Sequence, residues 1–176
     1  MMEALPRRLP AGIPLLGGLG LAALAARRPG LGGVAVVVAL GTAALLVPTD
    51  ERSRGRAVWA ATVGLGVSAF ALVAVAARVP ALPFAAIPAA ASLLAAVAEE
   101  AFFRRMLYGW LERWGPVLAI GVTAVLFAAV HLPLYGAGAL PVNLAAGVLL
   151  GWQRWATGSW TAPAATHAFA NLLVHI

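Results

Sequence analysis

The sequence predicts an all-α fold, a polytopic transmembrane helix bundle of about six to eight membrane segments. Three observations carry that prediction. Of the 176 residues, 62% are hydrophobic and 10% charged, with a mean hydropathy of +0.93, whereas soluble domains carry about 25% charged residues. So short a chain cannot build a core that hides this much apolar surface from water. The apolar residues also fall in runs near the length, about 20 residues, that crosses a bilayer. Finally, the basic residues sit in small groups between those runs: Arg7 with Arg8, Arg27 with Arg28, then Arg52, Arg54 and Arg56. Helix-flanking charges are placed in this way.

The elements follow in order. Leu9 to Ala26 is an 18-residue apolar run closed by Arg27 and Arg28. It is long for a signal h-region and is stopped at once by arginines, so it reads as a retained helix. Residues 29–49 form a second span, ending at Pro48 before the polar loop Asp50 to Arg56, and residues 57–77 form a third between Arg56 and Arg78. Pro80, Pro83 and Pro88 then predict a bent or partly re-entrant segment. A helix over 89–114 follows and stops at Gly115-Pro116. Further helices are expected over 117–131, 141–155 and from 161 to the C-terminus, joined by short loops rich in Gly and Pro. The chain shows no internal repeat and reads as a single membrane domain, 1–176, with N-terminal helices over 1–78 and a helical core over 79–176. With the N-terminus inside, the inner loops hold Arg7, Arg8, Arg52, Arg54, Arg56, Arg113 and Arg154, and the outer ones Arg27, Arg28 and Arg78. That bias favours the N-in orientation in the cell membrane.

Composition also excludes. The net charge is +6 and every basic residue is an arginine, but the arginines do not gather on one polar face as a nucleic-acid binder requires. No nucleic-acid partner is expected. Abundant alanine without lysine points to a GC-rich bacterial source. With no cysteine, disulfides and thiolate chemistry are excluded. The only aspartate is Asp50, so an aspartyl dyad cannot be built within one chain. No H-E-x-x-H zinc helix is present, and none of Ser53, Ser68, Ser92 and Ser159 sits in a G-x-S-x-G elbow. A carboxylate and imidazoles acting on water remain.

Those groups lie where charges are expensive. Glu99 and Glu100 follow roughly twenty uncharged residues, and each ionised group at the centre of a spanning helix costs about 3 kcal/mol. Glu100 and Arg104 are i,i+4 neighbours and can pair along one helical face. Glu99 is turned about 100° from Glu100, free to face a cavity. Adjacent carboxylates repel, and with Glu100 held ionised by Arg104, Glu99 is the carboxyl left to exchange a proton. A helix-end charge cluster at the membrane surface is the competing reading. His131 closes one apolar helix, four residues after Phe127. His167 and Asn171 are also i,i+4 and share a face. A lone histidine in such a helix is commonly a hydrogen-bonded structural residue; two, with a Glu pair and an Asn, make a reactive site the stronger reading.

Three segments then resemble a known family. Glu99-Glu100-Ala-Phe-Phe-Arg104 is similar to the E-E-x-x-x-R motif of the CAAX protease and bacteriocin-processing (CPBP, or Abi) membrane proteins. Phe127-Ala-Ala-Val-His131 resembles its F-x-x-x-H motif, and His167-Ala-Phe-Ala-Asn171 its H-x-x-x-N motif. The approach to the third, Gly147 to Gly151 and Thr157-Gly158-Ser159, also reads like the family. The resemblance covers roughly residues 89–174.

The resemblance implies an intramembrane endopeptidase whose substrate is a peptide or protein in the lipid bilayer. It implies Glu99 as general base on a water held between it and His131, with His167 and Asn171 donating to the oxyanion. Glu100 and Arg104 would orient the helix and hold the local charge balance. No cofactor is implied. Two alternatives stand beside this reading. One is a zinc-dependent version of the same peptidase, since two His and a Glu also form a zinc ligand set. The other is a non-enzymatic membrane protein: a bacteriocin immunity factor, a scaffold or a small transporter.

Overall fold

The computed structural model describes residues 31–49, 51–77 and 86–173, and among them every regular element is helical. The expected helix over Leu9 to Ala26, and the bend at Pro80 and Pro83, lie outside the described residues. Six helices run alternately up and down: α1 (Leu31–Leu46), α2 (Arg56–Ala76), α3 (Ala86–Glu100), α4 (Pro116–Tyr135), α5 (Leu140–Thr157) and α6 (Thr161–Leu173). Beyond Glu100, α3 continues without a break through a wide π-helical stretch, Ala101–Leu107, into Tyr108–Leu111 and a final tight turn, Glu112–Trp114. Pro88 falls in the first turn of α3, where a proline costs no helical hydrogen bond.

Two helices, α2 and α4, are long and apolar enough to cross a membrane, with hydropathies of 2.1 and 2.3. The other four are shorter or less apolar. The bundle is apolar outside, with Val117 83% and Leu46 80% exposed, while Glu100, Arg104, Gln153 and Arg154 are buried. Large apolar side chains exposed in such number mark an interaction surface. Helix α2 makes the point: of its 21 residues only Thr62 and Gly66 are buried.

Small residues let the helices approach closely, as in membrane bundles generally. A Cβ added at Gly147 of α5 would lie 2.7 Å from Ala124 Cα on α4, and one at Gly41 of α1 would lie 2.5 Å from Ala98 on α3. At one end of the bundle the α1–α2 loop folds against the end of α5, where the Arg54 N–H donates to the Thr157 carbonyl at 2.8 Å. Gly158 stops α5 with φ +68, and a side chain there would run into the Arg52 carbonyl. The turn therefore needs glycine for its backbone angle and for the close approach together.

Candidate active site

The sequence puts Glu99 and Glu100 at the end of α3, and the wide turn that follows carries Arg104 back over them. Within Ala101–Leu107 the winding is that of a π-helix, and the Tyr108 N–H bonds the Phe103 carbonyl, five residues back. Such insertions are frequent at functional sites. The pairing expected from i,i+4 spacing is present: Arg104 Nη1 donates to Glu100 Oε1 at 3.3 Å, and Arg104 Nε lies 3.2 Å from Glu100 Oε2. Both side chains are wholly buried. A buried guanidinium needs every partner it can find, and Arg104 finds two more. Its Nη2 donates to the Gly147 carbonyl at 3.1 Å, and its Cζ sits 4.7 Å over the Phe127 ring.

Phe127 explains the aromatic member of the second motif. Besides Arg104, its ring packs against His131 at 4.3 Å and edge-on against His167 at 5.6 Å. One side chain on α4 thus touches residues of all three motifs.

The ring nitrogens can be assigned from their partners. His131 Nδ1 lies 2.8 Å from the Phe127 carbonyl, which only accepts, so Nδ1 carries the hydrogen. His167 Nδ1 lies 2.9 Å from Glu100 Oε1 and donates to that carboxylate. Both histidines therefore turn Nε2 toward Glu99, whose Oε2 is 3.6 Å from His131 Nε2 and 3.9 Å from His167 Nε2. These separations exceed a direct hydrogen bond. Glu99 is partly exposed, Glu100 is not. Two adjacent carboxylates thus have different surroundings, one sealed beside an arginine and one partly exposed.

Asn171 lies one turn beyond His167 on α6, and its Nδ2 donates to the Ser92 carbonyl of α3 at 3.1 Å. That bond uses one of the two amide hydrogens and ties α6 to the helix that carries Glu99.

Some contributing residues were not legible in the sequence. Arg154 reads as a loop arginine but is buried in the last turn of α5, with Nε donating to the Arg104 carbonyl at 3.1 Å, Nη2 3.6 Å from Glu112 and Cζ over the Tyr108 ring. Arg104 and Arg154 each donate to the backbone of the other's helix, which locks the wide turn against α5. Arg105 caps the end of α1 through the carbonyls of Ala44 and Val47 and faces Glu51 at 3.7 Å. Gln153, fully buried, joins the Thr62 carbonyl of α2 to the Thr166 hydroxyl of α6 at 2.6 and 2.9 Å. A polar pair, Gln153 and Arg154, inside an otherwise apolar run was the available signal.

A family model described as type II CAAX prenyl endopeptidase Rce1-like matches residues 81–173. The chain belongs to this family. The matched stretch contains all three motifs and spans α3 to α6, while α1 and α2 precede it. Membership agrees with the resemblance carried by Glu99, Glu100, Arg104, His131, His167 and Asn171, and places the chain among CAAX-type membrane endopeptidases. No curated protein and no solved structure matches the chain.

Proposed function

We propose that the chain is a multi-pass endopeptidase of the cell membrane that hydrolyses a peptide bond of a membrane-borne peptide or protein with a glutamate-activated water. The observation that carries this reading is the convergence of Glu99 Oε2 with Nε2 of His131 and of His167, backed by the buried Glu100–Arg104 pair.

In the proposed reaction Glu99 is the general base. A water between Glu99 and His131 donates one hydrogen to the carboxylate and the other to His131 Nε2, whose lone pair is available because Nδ1 carries the ring hydrogen. Glu99 takes the proton as the water oxygen attacks the scissile carbonyl, then delivers it to the leaving nitrogen. His167 can donate to the developing oxyanion only through Nε2–H, because Nδ1–H is committed to Glu100. It must therefore act as the imidazolium. The charges then balance, with Glu99 and Glu100 negative, Arg104 and His167 positive. The second hydrogen of Asn171 Nδ2 completes the oxyanion hole. Glu100 and Arg104 take no part in bond making; they fix His167 and the wide turn.

A zinc-dependent version has one observation in its favour: both Nδ1 atoms are held by oxygen partners, as metal-ligating histidines are. Zinc would need three ligands at about 2.0–2.2 Å from one point, and among the described residues no three such side chains are arranged to hold an ion.

The deciding experiment compares purified wild type with Glu99→Gln on a fluorogenic peptide library that includes C-terminal CAAX peptides, with and without a prenyl group and a chelator. Cleavage by wild type alone, insensitive to chelator, is expected. Turnover by Glu99→Gln at the wild-type rate sinks the proposed base, and loss of cleavage on chelation favours zinc.

A further inference from the structure

One turn beyond His131 an aromatic residue stands outside the three motifs. Tyr135 is the last residue of α4, one turn beyond His131 on the same face, and its ring lies parallel to the His131 ring, with centroids 5.8 Å apart and planes within 7°. The Phe127 ring packs against the same imidazole at 4.3 Å, tilted by 39°. Residues 127, 131 and 135 form an i, i+4, i+8 column, and the histidine is its middle member. His131 is 8% exposed and Tyr135 is 65% exposed, so the phenol ring is the outer wall over the imidazole.

The helix extends far enough to place this wall for a specific reason. Pro133 lies inside the last turn of α4, and the turn nevertheless closes with the Gly136 N–H on the Leu132 carbonyl at 2.9 Å. That extra turn brings Tyr135 round onto His131. A single hydrogen bond, Nδ1–H to the Phe127 carbonyl, fixes the tautomer of His131 but leaves its ring free to swing about that bond. The Phe127 ring, tilted by 39°, and the parallel Tyr135 ring together limit that swing.

We infer that Tyr135 is a positioning residue for His131: its stacked ring holds the imidazole plane so that Nε2 faces Glu99. The role of that orientation in catalysis rests on the peptidase reading above; the stacking does not. The ring is what the role needs, and the hydroxyl is dispensable. A misplacement on the order of 1 Å in such a site can cost about a hundredfold in rate.

The experiment uses the full chain in detergent with ¹⁵N-labelled histidine, as wild type, Tyr135→Phe and Tyr135→Leu. The ring current of a parallel aromatic ring 5.8 Å away perturbs the carbon-bound protons of His131, so Tyr135→Leu should shift them and Tyr135→Phe should not. In the cleavage assay Tyr135→Leu should lower kcat roughly ten- to a hundredfold with KM unchanged, and Tyr135→Phe should restore the wild-type rate. Thermal midpoints should agree, because the side chain is mostly exposed. Unmoved His131 resonances in Tyr135→Leu overturn the inference, as does a change confined to KM, which would make Tyr135 a substrate contact. If wild type cleaves nothing, the peptidase reading fails by itself and the resonances still decide whether Tyr135 holds the ring.

Discussion

The residue that ties the site together is Arg104, and its effect is on stability before it is on chemistry. Its guanidinium neutralises a carboxylate with no access to water, holds the Gly147 carbonyl and lies on Phe127. Removing one partner of a buried ion pair leaves the other uncompensated and typically costs about 3–5 kcal/mol, whereas replacing both by neutral groups of similar volume is close to neutral. Arg104→Ala should therefore lower the thermal midpoint in detergent sharply, and Arg104→Met combined with Glu100→Gln should recover most of the loss. An unchanged midpoint for Arg104→Ala would show that the pair is not desolvated. The pair was legible in the sequence because helical spacing fixes it. The bond from His167 to Glu100 was not, since the partners are 67 residues apart and no local rule joins them. That bond changes the chemistry: it commits Nδ1 and so requires His167 to be charged before it can serve an oxyanion.

At the scale of elements, hydropathy and punctuation found the helices, and the departures have physical causes. The helix expected over 117–131 runs to Tyr135, because Pro133 so near the end forfeits one backbone hydrogen bond and Gly136, at φ +75, provides the stop. The helix expected over 89–114 contains the wide turn at Ala101–Leu107, which no propensity scale marks. Within it the Arg104 carbonyl accepts from Arg154 Nε, a tertiary contact that no local rule marks. Close helix approach gives a paired prediction. Gly147→Ala would drive a methyl against Ala124 of α4 and shift the carbonyl that holds Arg104, so a loss of about 1–3 kcal/mol is expected, with a fall in cleavage. Gly121→Ala on α4 meets open space and should be neutral or stabilising by up to about 1 kcal/mol. Equal midpoints for the two variants in detergent melts would show that the α4–α5 contact is looser than described.

At the scale of the whole molecule, the inversion of polarity and the arrangement of arginines bear on one question, which end of the bundle faces the cytoplasm. Arg52, Arg54, Arg56 and Arg113 are all exposed, and the contacts of Arg54 with Thr157 and of Arg154 with Glu112 bring their loops to one end. The Ala137–Ala139 turn is at the other end, separated from Gly115 by the 20 residues of α4, about 30 Å at 1.5 Å per residue. That distance matches the hydrocarbon thickness of a bilayer. The bias of arginine toward cytoplasmic loops predicts that the arginine-rich end faces the cytoplasm. The chain has no cysteine, so single substitutions report on either side without a background. Ser53→Cys should react with a membrane-impermeant maleimide only after the cells are permeabilised, and Gly138→Cys should react in intact spheroplasts. The reverse pattern would invert the orientation. Labelling of both from one side would mean that α4 does not cross the membrane, against its hydropathy and length. If the expected pattern holds, His131, one turn from the outer end of α4, lies nearer the outer face, and the exposed ring of Tyr135 stands on the side from which a substrate's extracytoplasmic segment would reach Glu99.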